Sequence, residues 1–298
     1  MNIYKILLLF TTGLKLSIQI HGQESSDSLQ KVTFFYETVH FLASDSLHGR
    51  SSSSIDETEA ANFIFSSFKA IPKCKVKRQK FTYQFSDSSQ KKQSQNIYCF
   101  FNNHADSTIV IGAHYDHIGY GEGLSLAYSL KKHIHNGADD NASGVALMLA
   151  IAKEANRELT NKYNYLFVAY SAHEIGLFGS KAFYKKIGSS YTIAKMINFD
   201  MVGRLDKKQS TLSMLVVSEQ DKSLNYFHQN TALNYQFNID DKIYHTDCKV
   251  FIKNNTPAIS FTTGTHNDYH KPSDDADKLN YAGMCTIYSV VIGYINQL

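Results

Sequence analysis

The sequence predicts an α/β sandwich built on a largely parallel or mixed sheet, and three observations carry that expectation. Four continuous apolar runs, Thr108–Ala113, Tyr165–Tyr170, Met196–Phe199 and Pro257–Phe261, have the pattern of strands buried on both faces. Helical patterning separates them, which is the alternation of an α/β chain. Polar residues collect just past the ends of these runs, where the crevice of such a sheet lies. The 298 residues are 43% hydrophobic and 13% aromatic, enough to bury a core, which excludes a disordered or low-complexity chain.

Taken in order, Met1–Gly22 reads as a signal peptide: Lys5, then an apolar stretch from Ile6 to Ile20, short for a membrane span of about 20 residues. That predicts export, secreted or periplasmic, with no stable membrane insertion, an uncleaved anchor being the alternative. Removing it leaves 28 basic against 27 acidic residues, a near-neutral chain with no electrostatic footprint for nucleic acid. Helices are expected at Ser28–Ala43 and Asp56–Ala70, the second opened by acidic residues suited to a helix N-terminus. Residues 74–85 and 95–101 read as two strands around a polar loop. Further helices are expected at Ala142–Leu159, Gly176–Lys186, Gln220–Ala232 and Asp277–Gln297. No composition break, repeat or linker divides residues 23–298, which are read as one domain. Cys74, Cys99, Cys248 and Cys285 include no C-x-x-C pair, so a thiolate zinc site is disfavoured; they are read as buried thiols, with one disulfide of unassigned pairing left open.

The strand ends carry the chemistry. Past the first buried run comes Gly112-Ala-His-Tyr-Asp-His117, and Gly137-Ala-Asp-Asp-Asn-Ala-Ser-Gly144 precedes a helix. His173-Glu174 follows the second run, Asp200 the third, and Asp268-Tyr-His-Lys-Pro272 the fourth. His114, Asp140, Glu174, Asp200 and His270 can therefore meet at one sheet edge. Two imidazoles and three carboxylates suit zinc, and a shared carboxylate can bridge two ions about 3.5–4 Å apart. Any one of these residues alone reads as a cap or a loop hydrogen-bonder: Asp139 or Asn141 could cap the following helix, and His117, His133 and His135 are read as structural or exposed.

These motifs, in this order, resemble the co-catalytic dizinc aminopeptidase family that also holds aminopeptidase Y, glutamate carboxypeptidase II and glutaminyl cyclase. The resemblance runs from Lys31 to the C-terminus and is specific only as a set. It implies a three-layer α/β/α, phosphorylase/hydrolase-like fold and an aminopeptidase that hydrolyses N-terminal residues of peptides. It implies two Zn2+ per chain, with His114 and Asp200 on one, Glu174 and His270 on the other, and Asp140 as the bridge. Asp116 falls where the family has an Asp that orients the first His, and Tyr269 where a phenol helps bind the developing oxyanion. One departure stands out. The family has Glu-Glu before Ile/Val-Gly-Leu, the first Glu acting as general base, whereas this chain has His173-Glu174. His173 is then the base, kept neutral by two nearby cations; or a metal ligand; or the mark of a zinc-dependent peptide-binding homologue with little turnover. A glutaminyl-cyclase-like reading uses similar ligands with one zinc. A smaller departure is Asp247-Cys248, where relatives have Asp-His.

Overall fold

The computed structural model describes residues 27–85, 89–121, 123–128, 132–218, 220–239 and 241–298. The expected signal peptide, Met1–Gly22, lies outside the described residues. The strands are β1 (Lys75–Tyr83), β2 (Lys92–Phe101), β3 (Thr108–His114), β4 (Asn164–Tyr170), β5 (Ile193–Phe199), β6 (Thr211–Val216), β7 (Asn234–Asn238) and β8 (Ala258–Thr262). The helices are α1 (27–42), α2 (Ile55–Lys69), α3 (Gly144–Glu158), α4 (Phe178–Lys186), α5 (Asn225–Gln229), α6 (Cys248–Ile252) and α7 (Tyr281–Gln297).

All eight strands join one mixed sheet in the order β1-β2-β4-β3-β5-β8-β6-β7. The four apolar runs become the adjacent central strands β4, β3, β5 and β8, all parallel, so their carboxyl ends share one edge. Every residue of β3 and β4 is buried, because helices cover both faces. Alternate side chains supply two clusters. Ile109, Ile111, Tyr165 and Phe167 pack with α1, α2, α3 and α7, while Val110, Leu166 and Val168 pack with Phe183 of α4 and Phe251 of α6. That is the α/β/α arrangement.

Local chemistry fixes the flanks. Ser54 accepts the Glu57 N–H and Glu57 accepts the Ser53 N–H, a reciprocal cap that starts α2. Cys74 and Cys99 are joined as a disulfide between the start of β1 and β2, correcting the reading of both as thiols; Cys248 and Cys285 are free. The helix expected at Gln220–Ala232 is largely replaced: only Asn225–Gln229 is α-helical, and Asn230 is extended, its carboxamide oxygen accepting the Ala232 N–H and the Tyr235 hydroxyl. Strands β6 and β7 were not expected from the sequence. Among the described residues no helix is long and apolar enough to cross a membrane.

Candidate metal centre

The edge shared by β3, β4, β5 and β8 brings the five candidate ligands together. Asp140 lies at their centre: Oδ1 is 3.3 Å from His114 Nε2 and Oδ2 is 3.3 Å from His270 Nε2. Asp200 Oδ1 completes the His114 side at 3.6 Å, and Glu174 Oε2 the His270 side at 3.2 Å.

The turn before α3 explains how the chain presents Asp140. Asn141 donates to the Phe199 carbonyl and accepts the Gly144 and Met201 N–H groups, stitching the start of α3 to the end of β5. A Cβ at Gly144 would stand 2.3 Å from Asn141 Oδ1 and 2.7 Å from the Phe199 carbonyl, so only glycine permits this approach. Asp139 accepts the Gly203 N–H and pairs with His266, and Asp274 accepts the N–H groups of Asp139 and Asp140. Fully buried Arg50 donates to the carbonyls of Leu42, Tyr115, Asn136 and Gly137, clamping the chain on either side of the site. Ala172, Met201 and His270 have φ of 54°, 58° and 52°, left-handed values for non-glycine residues next to or at the ligand positions. Such backbone persists only where the surroundings over-determine it.

Asp116, fully buried, accepts the His173 and Glu174 N–H groups and the Ser52 hydroxyl. Its carboxylate is 3.8 Å from His114 Nδ1, and the closer partner of that nitrogen is the Asp116 carbonyl, at 3.2 Å. The acid therefore anchors the loop after β4, while its backbone contacts the His114 ring. His117 is buried as well, its Nδ1 2.9 Å from Glu174 Oε1, so it positions that carboxylate. A buried histidine three residues after His114 carried no distinguishing signal. His135 is a core residue, hydrogen-bonded to Ser125.

His173 stacks on His114, rings 3.7 Å apart and 9° from parallel. Its Nδ1 is 3.0 Å from Oδ2 of Asp247, a fully buried acid. Burial and His114 depress the His173 pKa, but Asp247 and Asp200 outweigh them and hold it at about 9. A neutral His173 imidazole thus depends on cations being bound, since the protein groups alone favour imidazolium. Tyr269 stacks on His270, and burial with the Asp140 and Glu174 charges raises its phenol, which stays protonated as a hydrogen-bond donor.

The residues fit divalent metal. The Nε2 atoms of His114 and His270, which face Asp140, are buried without a hydrogen-bond partner, which is costly unless something else satisfies them. Burial opposes charge at His114 and His270, yet the carboxylates raise His114 well above 6.5 and His270 to about 10. Conversely the imidazoles hold Asp140 well below 3.8 and Glu174 at about 2 against their burial. This cluster demands positive charge. Ligand atoms of His114, Asp140 and Glu174 lie within 4.8 Å of one another, as do those of His114, His173 and Asp200. The second group puts His173 where it could also ligate a metal.

Residues 96–295 match peptidase family M28. The chain belongs to that family. An Arthroderma otae protein described as a probable leucine aminopeptidase is 28% identical over 238 residues, covering 75% of this chain and 60% of its own length. The chain spans about three fifths of the length of the curated relatives it matches. Two solved structures superpose with TM-score 0.72. One is BSAP, a zinc aminopeptidase from Bacillus subtilis, 15% identical and covering 89% of this chain and 94% of that one. The other is Bacteroides thetaiotaomicron glutaminyl cyclase bound to N-acetylhistamine, 16% identical and covering 90% and 98%. At these identities the likeness establishes the shared fold.

Proposed function

We propose that this M28 protein is a zinc-dependent aminopeptidase that hydrolyses N-terminal residues of peptides. The observation that carries the reading is Asp140, whose two oxygens face two different histidines, each with an orphaned Nε2 and a further carboxylate beside it. That arrangement supports two zinc ions per chain: His114 and Asp200 would hold one, Glu174 and His270 the other, with Asp140 shared. When bound, zinc would supply a more acidic water and Lewis-acid polarisation of the scissile carbonyl.

The chain's own groups do the rest. Asp247 holds the Nδ1 side of His173 and so turns the other ring nitrogen toward the cavity, where it can accept a proton once bound cations offset the surrounding carboxylates. Tyr269 keeps its proton and can donate to the developing oxyanion. Asp116 holds the His173-Glu174 backbone in place. We also read residues 1–22 as an export signal and 23–298 as one catalytic domain acting outside the cytoplasm, secreted or periplasmic; the Cys74–Cys99 disulfide supports an oxidising compartment.

A second reading, zinc-dependent peptide binding without efficient turnover, is favoured by one observation: Asp247 holds His173 as imidazolium up to about 9 in the absence of metal. A glutaminyl-cyclase-like activity with one zinc is the third. Metal content with aminoacyl-anilide turnover by wild type, His173→Glu and Glu174→Ala separates them. Two zinc ions and activity lost in Glu174→Ala are expected. Activity seen only in His173→Glu would leave the binding reading standing, and one zinc with cyclase activity would favour the third.

A further inference from the structure

A cavity of about 470 Å³ opens directly off the candidate centre, touching Asp140, His173, Glu174, Asp200 and Tyr269. A second, of about 330 Å³, reaches only His173, Glu174, Tyr269 and His270 of the site residues. The side chain next to a carbonyl held over Asp140 and Asp200 therefore belongs in the larger one, and its walls determine which side chain is accepted.

Those walls come from β6, β7 and β8. The strand pairing sets Gln236 of β7 opposite Ser213 of β6, and Ser213 opposite Thr262 of β8, all three lining the cavity. Asn238 extends the row and accepts a hydrogen bond from the Gln236 amide. The intervening residues of the same strands, Leu212, Met214 and Phe237, turn to the core. On these three strands the cavity-facing side chains are thus hydroxyls and carboxamides except for Leu215, and Met201, Lys242 and His245 add to the lining. A branched apolar side chain would strip water from these groups and return no hydrogen bond, whereas a hydroxyl or amide would replace that water. A net charge is disfavoured in either sense, since four carboxylates lie at or behind the floor and Lys242 and His245 line the wall.

We propose that the pocket selects a substrate whose first residue carries an uncharged hydrogen-bonding side chain, Ser, Thr, Asn or Gln, and that the Gln236–Ser213–Thr262 row makes the selection. This rests on the aminopeptidase reading above. It sets this chain apart from the leucine preference named for its Arthroderma otae relative.

The test is kcat/KM of the zinc-loaded protein on Ser, Thr, Asn, Gln, Leu, Met, Glu and Lys aminoacyl-coumarin amides. An advantage of at least about tenfold for the best uncharged polar residue over Leu is expected. Gln236→Leu, an exposed change that leaves the core untouched, should narrow it, and Gln236→Leu with Ser213→Val should reverse it. Leu, Met, Glu or Lys as the best wild-type substrate overturns the proposal while leaving the hydrolytic reading intact. If no amide is cleaved, the hydrolytic reading fails, and calorimetry with asparagine and leucine hydroxamates still decides the pocket. Tenfold tighter asparagine hydroxamate supports the proposal; equal affinities, tighter leucine hydroxamate or no binding of either overturns it.

Discussion

Replacing Glu57 by Gln should remove a pH dependence of folding that the wild type carries between about pH 5 and 8. Glu57 is 2% exposed and sits at the start of α2, where it accepts hydrogen bonds from Ser94 of β2 and from Ser171, two residues before His173. Burial pushes its carboxyl up to about 7 from 4.5, against the opposing pull of those hydroxyls. Between these values the native state keeps a proton that the unfolded chain has released, so stability is fully present below 4.5 and declines as pH rises through 7. At 1.36 kcal/mol per tenfold, the whole displacement is worth about 3 kcal/mol, of which about 2.5 kcal/mol falls between pH 5 and 8. Urea unfolding of wild type and Glu57→Gln with saturating zinc, measured across that range, isolates the effect, because all other titrations cancel in the difference. Gln forfeits the Ser53 contact at every pH, which offsets the curves without tilting them. Wild type should lose ground to the variant as pH rises. Parallel curves would refute the assignment of a buried, protonated Glu57.

Two further outcomes follow from buried groups around the centre. Arg50→Met leaves the carbonyls of Leu42, Tyr115 and Asn136 without their donor, and that of Gly137 with only the Ala142 N–H, and should cost on the order of 4 kcal/mol in unfolding free energy; a loss under about 1 kcal/mol would contradict the clamp. Asp116→Asn sets an amide donor against one of the two backbone N–H groups of His173 and Glu174, which use different carboxylate oxygens, and should lower zinc affinity about 10–100-fold in a chelator competition, with unchanged affinity counting against the anchoring role.

The central strands were legible because burial on both faces leaves β3 and β4 no polar position, and an uninterrupted apolar run is readable without knowing what covers it. The five metal candidates were legible for a related reason: each follows a buried run or opens a helix, and parallel strands deliver such positions to one edge. Strands β6 and β7 escaped because their cavity-facing residues are polar, so Ser213, Gln236 and Asn238 dilute the apolar signal. Helix α5 was overestimated because Asn230 diverts the backbone through its own side chain, a local competition that helical spacing does not register.

From sequence alone came the fold class, the family resemblance and the residue types that can hold a divalent ion, since these depend on local pattern and on chemistry carried by single side chains. Tertiary structure decided what each group faces. It set Asp247 against His173, His117 against Glu174, and the Asp116 carboxylate on backbone N–H groups. It also joined Cys74 to Cys99. Protonation followed the same division: His173 is drawn toward imidazolium by a carboxylate 74 positions away in the chain, and only folding brings that charge within hydrogen-bonding distance.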